Sequence, residues 1–147
     1  MYYVNREQIE LRLKAIPEIA EGLRRVSSGW TGDLMQGLVQ ERCLHLAIET
    51  VTDAGSYLID GFIMRDASSY EDIISIIHGE EVIDESVFAP IYELVSLRKP
   101  LVQEYFRWKR TELHKLTPLL PEVLERFAAS VEGYLDRELG TQPAGSK

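Results

Sequence analysis

Arg98-Lys99-Pro100-Leu101-Val102-Gln103-Glu104-Tyr105 is a proline-interrupted apolar run with charge on both sides. Proline disfavours helical geometry in the residue before it and lacks the donor that a continuous helix needs, yet it suits the first position of a new helix. The run therefore predicts a junction. One helix ends near Arg98, and another starts at Pro100 and continues through Leu101, Tyr105, Trp108 and Leu113 to about Lys115. A single helix kinked at Pro100 is the alternative.

Helical periodicity extends outward in both directions. Upstream, Ser68 with Glu71 has the spacing of a capping box for a short helix whose apolar face is Tyr70, Ile73, Ile74 and Ile77, with Gly79 as its stop. His78 in its last turn suits the negative end of the helix dipole. The next helix begins near Asp84, carries Pro90 early and runs through Ile91, Leu94 and Val95 to the junction. Further back, Asp33 with Gln36 opens a helix of some 30 residues through Leu38, Leu44, Ile48, Val51 and Leu58 to about Phe62, long enough to be the centre of a bundle. Before it, Asn5 caps a helix with a seam at Ile9, Leu13, Ile16, Ala20 and Leu23, in which Pro17 predicts a kink. Downstream, Thr117 is placed to cap a last helix with Pro118 at its first position, ending at Gly140. No stretch alternates with period two. The expectation is an all-α, up-and-down bundle of four or five helices with one extra short helix, occupying residues 1–140 as one domain, and a disordered tail over 141–147.

At 147 residues the chain is long enough to bury a real core without staples. Cys43 has no partner for an internal disulfide and sits among Leu44, Leu46 and Ala47, which points to packing and to a reducing, cytoplasmic setting. No apolar run reaches the roughly 18 residues of a membrane-spanning helix, so no membrane partner is expected. A formal charge of −8 argues against a general nucleic-acid coat. The charge is uneven, however: Arg98, Lys99, Arg107, Lys109, Arg110 and Lys115 outnumber Glu104 and Glu112, giving the segment +4. A solvated face and a phosphate-facing patch both fit that balance. Arg42, His45 and Glu49 form a polar line on one helix face, but they lack the additional ligands of a metal site, and no metal or cofactor is expected.

On one unbroken helix Arg98 and Tyr105 would share a face, whereas Gln103 would sit about 140° from Arg98. A break at Pro100 is what would let an arginine, an amide and a phenol converge. Together they suit a phosphodiester, because the guanidinium carries a permanent charge and a fork of donors. The competing reading pairs Arg98 with a carboxylate such as Glu104 and packs Tyr105 in the core. Spacing alone leaves both open.

The same residues resemble the signature of the HepT ribonuclease-toxin family, within the wider HEPN group: Arg, four residues, His, one residue, Tyr, with Leu-Val before the His. Here the positions read Arg98, Leu101-Val102, Gln103 and Tyr105. Tyr70-Glu71-Asp72-Ile73-Ile74 through Val82-Ile83-Asp84 is similar to the family's approach to its motif. Met1-Tyr2-Tyr3-Val4 and Ile59-Asp60-Gly61-Phe62-Ile63-Met64-Arg65-Asp66 resemble its YutE-like branch. The resemblance implies a homodimer that sets two motifs across a shared cleft, metal-independent RNA cleavage there, and a minimal nucleotidyltransferase antitoxin able to adenylylate the motif tyrosine. Carried over, Arg98 holds the scissile phosphate and Tyr105 is the supporting or modified phenol; on the phosphate-facing reading of the basic segment, Lys99, Arg107, Lys109 and Arg110 extend the RNA contact.

Gln103 stands where the family has histidine. An amide cannot take and return a proton near neutral pH, and losing such help typically costs about 10²- to 10⁴-fold. The expected function is a HepT-like RNA-binding domain with weak or lost ribonuclease activity, with His45 or His114 as substitutes only if the fold brings them to the cleft. The alternative is a non-catalytic, homodimeric helical interaction protein.

Overall fold

A computed structural model describes residues 2–140, all of whose regular elements are helical. In chain order these are α1 (Arg6–Leu13), α2 (Ile16–Ser28), α3 (Leu34–Gly61), α4 (Tyr70–Gly79), α5 (Glu85–Ser96) and α6 (Leu120–Leu139), with one π turn and one 3₁₀ turn between α5 and α6. Counting α1 and α2 as one bent element gives five helices, the all-α bundle that periodicity predicts. The 28-residue α3 is the hub: α1, α2, α4 and α5 pack on it, and α6 closes the bundle against α2 and α5. Leu44, Ile48, Val51 and Leu58 of α3 meet Leu23, Ile74, Ile91 and Phe127 in one buried cluster. Each such side chain stabilises the fold by about 1.5–3 kcal/mol relative to exposure.

Several element ends differ from expectation, each for a local reason. The first bend lies at Lys14–Ala15 rather than at Pro17, where Ala15 N–H turns back to Arg12 O. Pro17 sits in the first turn of α2, where its missing donor costs nothing, so the ladder breaks upstream of it. Asp33 caps α3 as expected, accepting from Gln36 N–H at 2.8 Å, while the Gln36 carboxamide accepts from Thr31 N–H at 2.7 Å. The cap of α4 is Ser69, not Ser68: its hydroxyl accepts from Asp72 N–H at 3.0 Å. Asp72 takes the role expected of Glu71, accepting from Ser68 N–H and bidentately from Arg65 at 2.8 Å, which holds its carboxyl far below the usual carboxylate range. Gly79 ends α4, but the left-handed residue that closes it is Glu81 (φ 65°), with Val82 N–H returning to Ile77 O. His78 stacks on Phe88 at 4.1 Å beside its place in the last turn. Gly140, at φ 80°, does terminate α6; the expected tail over 141–147 lies outside the described residues.

The largest departure follows the junction. Residues 108–119 form no helix and cross α3 as an irregular strap. Thr117 caps nothing; α6 begins at Leu120 without a side-chain cap. The reason lies on α3. Gln40, fully buried, donates to Glu112 O at 3.1 Å and accepts from His114 N–H at 2.8 Å and Thr117 Oγ1 at 2.7 Å. Backbone groups that a helix would pair internally are satisfied by this carboxamide instead. Gly37, one turn earlier, admits the strap: a Cβ there would stand 2.1 Å from Arg110 O.

Candidate functional site

Helical dihedrals persist past α5 through Leu97 and Arg98. Leu101 N–H still reaches Leu97 O at 2.9 Å, but Glu104 N–H bonds Lys99 O, five residues back, at 2.9 Å. Pro100, which has no N–H to give, sits inside this widened ring, so Lys99–Gln103 becomes a π turn and Tyr105–Arg107 a 3₁₀ turn. The expected helix from Pro100 to about Lys115 is therefore replaced by two short turns and the strap. For the site the widened ring matters. A straight α-helix would hold Gln103 about 140° from Arg98, and the π turn departs from that spacing.

Arg98 lies with its Cζ 4.0 Å from the centroid of the Tyr70 ring at the start of α4. Its Nε is shielded from solvent without a hydrogen-bond partner, and no ion pair among the described residues involves it. The pairing with Glu104 does not form, and Tyr105 is not in the core: it is 58% exposed, edge-on to Phe106 at 5.7 Å. Gln103 is exposed as well. The junction thus presents a guanidinium, a carboxamide and a phenol without hydrogen bonds tying the three to one another. Tyr70 is the platform that sequence reading missed; 28 residues separate it from Arg98, and only the packing of α4 against α5 joins them.

The remaining cations divide by partner. Lys99 and Arg107 are exposed, Arg107 lying 5.5 Å from the Phe106 ring. Lys109 approaches Glu112 at 4.0 Å and Lys115 meets Glu93 at 2.8 Å, both at the surface. Arg110 is committed to Glu41 on α3 through two hydrogen bonds of 2.5 and 3.0 Å, and also donates to Tyr105 O at 3.3 Å. It pins the strap and the 3₁₀ turn to α3.

The two histidines named as possible substitutes, His45 and His114, lie near this region. His45, with Glu41, Arg42 and Leu38, shares a shallow cavity of about 240 Å³ with Leu101 of the π turn. Its Nδ1 is 3.4 Å from Arg42 Nη1 and its Nε2 is 3.7 Å from Glu49. His114 accepts Leu116 N–H at Nδ1 (3.0 Å), which places its proton on Nε2. Burial holds its pKa below the ordinary 6.5, with Glu93 pulling it up and Lys115 pushing it down. Burial likewise raises the half-buried Cys43 thiol, the opposite of what a nucleophile needs. Among the described residues, no three His, Cys, Asp or Glu side chains are grouped to hold a metal, and no helix is long and apolar enough to cross a membrane.

Comparison with known proteins adds to this geometry. The ribonuclease HepT-like family profile matches residues 10–130. YutE of Bacillus subtilis (strain 168), provisionally named an RNase, is 36% identical over 140 residues, covering 95% of this chain and 96% of the relative. The solved structure of YutE, described as a cytosolic protein of unknown function, superposes with a TM-score of 0.84 at 35% identity over 98% of this chain and 99% of that one. By a matched profile that includes the whole Arg98–Tyr105 junction, and by a full-length relative of the same fold, the chain belongs to the ribonuclease HepT-like family.

Proposed function

We propose that this domain, residues 1–140, binds RNA at the junction and cleaves it weakly or not at all, in a homodimer that brings two junctions across one cleft. The observation that carries the reading is Arg98: stacked on Tyr70, with its charge met by no carboxylate. An aromatic face orients a guanidinium without neutralising it, so a phosphate is the partner that completes the site. Tyr105 is exposed, which leaves its phenol accessible to an adenylylating nucleotidyltransferase of the toxin–antitoxin type. Gln103 in place of the family histidine removes the proton-transfer group, which accounts for low activity.

Dimerisation is supported by a stripe on α3. Leu34, Met35, Leu38 and Val39 are all exposed, Met35 by 72%, at spacings that put them on one face, and Leu38 borders the cavity beside Leu101. A second copy seated there would adjoin the junction.

Electrophoretic shift with single-stranded RNA across salt tests the reading. Binding should weaken steeply as salt rises and fall at least tenfold in Arg98→Ala. Gln103→His should then gain cleavage that survives chelator and requires Arg98. Robust cleavage by the unaltered protein that persists in Arg98→Ala would overturn the assignment. A second reading, in which His45 supplies the missing base, is favoured by its place beside Leu101. It predicts wild-type cleavage that is lost in both His45→Ala and Arg98→Ala.

A further inference from the structure

A second recess opens on the strap side of the π turn, with a volume of about 390 Å³, within the range of small-molecule sites. Pro100 forms part of its wall, so it lies next to the junction. Its aromatic wall is Trp108 and His114, whose rings are near-parallel (17°) with centroids 6.0 Å apart. Two hydrogen-bonded anchors position that wall. Leu116 N–H fixes the His114 ring through Nδ1, and Gln40 anchors the backbone at Glu112 and His114.

The polar groups around the recess are of a particular mixture. Trp108 contributes its ring to the lining, while its Nε1–H is shielded from solvent and is not among the groups open to a ligand. His114, with Nδ1 occupied, presents Nε2–H as a neutral donor, and burial keeps the ring unprotonated at neutral pH. Glu104 and Glu112 supply acceptors, while Arg107 at the lining is the cation without a carboxylate partner. Lys109 and Lys115 also line the recess but are paired with Glu112 and Glu93, which leaves Arg107 as the cation open to a phosphate, and the charged groups make the recess poor for a lipid tail. A flat aromatic ring edged with both donors and acceptors, and carrying a phosphate outside, suits the His114 donor, the carboxylate acceptors and Arg107 together.

We propose that this recess is a base-binding subsite: it takes one unstacked nucleobase of single-stranded RNA, stacked against the Trp108–His114 wall, with the adjoining phosphate directed to Arg107. The inference rests on the RNA-binding reading of the junction, since Pro100 places the recess two residues from Arg98. It adds that the protein grips a base as well as the backbone.

Trp30 and Trp108 are the two tryptophans, so Trp30→Phe leaves Trp108 as the reporter. In that background, titration with adenosine 5′-monophosphate should quench Trp108 emission to saturation, while ribose 5-phosphate, which lacks the base, should not. His114→Ala should weaken nucleotide binding about tenfold, the size of a lost stacking contact. Measured by nucleotide-observed NMR line broadening, Trp108→Phe should retain binding within a few-fold, whereas Trp108→Leu should lose it, with thermal melting showing both variants folded. Arg98→Ala should leave the mononucleotide response intact and weaken only a longer oligoribonucleotide. A mononucleotide response without Arg98-dependent RNA binding would support the recess while refuting the junction reading. Equal responses to the nucleotide and ribose 5-phosphate would overturn the base subsite, as would Arg98-dependent RNA binding with no Trp108 response to nucleotide.

Discussion

Gln40 shows how much one side chain can fix. Its carboxamide serves three groups of the strap, and Gln40→Ala would leave a backbone carbonyl, an amide and the buried Thr117 hydroxyl short of partners. Unmade bonds of this kind cost about 1–3 kcal/mol each before relaxation, so the expected loss is about 3 kcal/mol, read as a lower urea midpoint. His114 gives a second handle. Its folded pKa lies below 6.5, so the unfolded chain binds more protons as pH falls through that value, and the ring's contribution is present above 6.5 and lost below it. The fall in Tm on acidification from pH 7 should be steeper in the wild type than in His114→Asn. Neither residue announced its role. Gln40 reads in sequence as one more position on an amphipathic helix, because its partners lie more than 70 residues away. For Arg98 and Tyr105, by contrast, a spacing and a proline were enough to single the pair out as candidates, while the stacking of Arg98 on Tyr70 depends on a contact between distant helices.

At the scale of elements, legibility followed whether the determining chemistry was local. Asp33, Asp84 and Asn5 cap the helices expected of them because the cap and its amide are three residues apart. The helix expected after Pro100 failed because tertiary hydrogen bonds from α3 outbid the local ladder. Helix endings were the other weak point. Both α3 and α4 close with a left-handed residue that is not glycine: Ile63 at φ 55° and Glu81 at φ 65°. For a β-branched residue this conformation is strained, and Ile63 is largely exposed, with little packing to lose. Ile63→Gly should therefore raise stability by roughly 0.5–1 kcal/mol, measured by urea unfolding, despite the added freedom of the unfolded chain. Gly37→Ala should do the reverse. With backbone in its way rather than a movable side chain, it should cost about 2 kcal/mol or more and loosen the strap.

For the molecule as a whole, periodicity was enough to read a bundle around one long helix, because the apolar seams of α2, α3 and α6 are long and regular. It did not reveal that the first turns of α3 carry their apolar side chains, Leu34, Met35, Leu38 and Val39, on the outside, with Gly37 and Gln40 turned inward. If that stripe seats a second copy, the protein should sediment near twice 16.8 kDa, and Met35→Glu with Leu38→Glu should return it to a monomer without lowering Tm at low concentration. Arg98-dependent RNA binding should weaken in the same variant, since one junction alone offers half the contacts.

The strap has a further consequence. It hangs on α3 by a carboxamide and one arginine–glutamate clasp, with Leu116 seated in the core and isolated turns in place of a helical ladder. A segment fastened at so few points detaches in one motion, so its amide protons should exchange with deuterium together, at an opening energy well short of full unfolding, while α3 beneath stays protected. The wall of the proposed base subsite would then be the first part of the protein to let go.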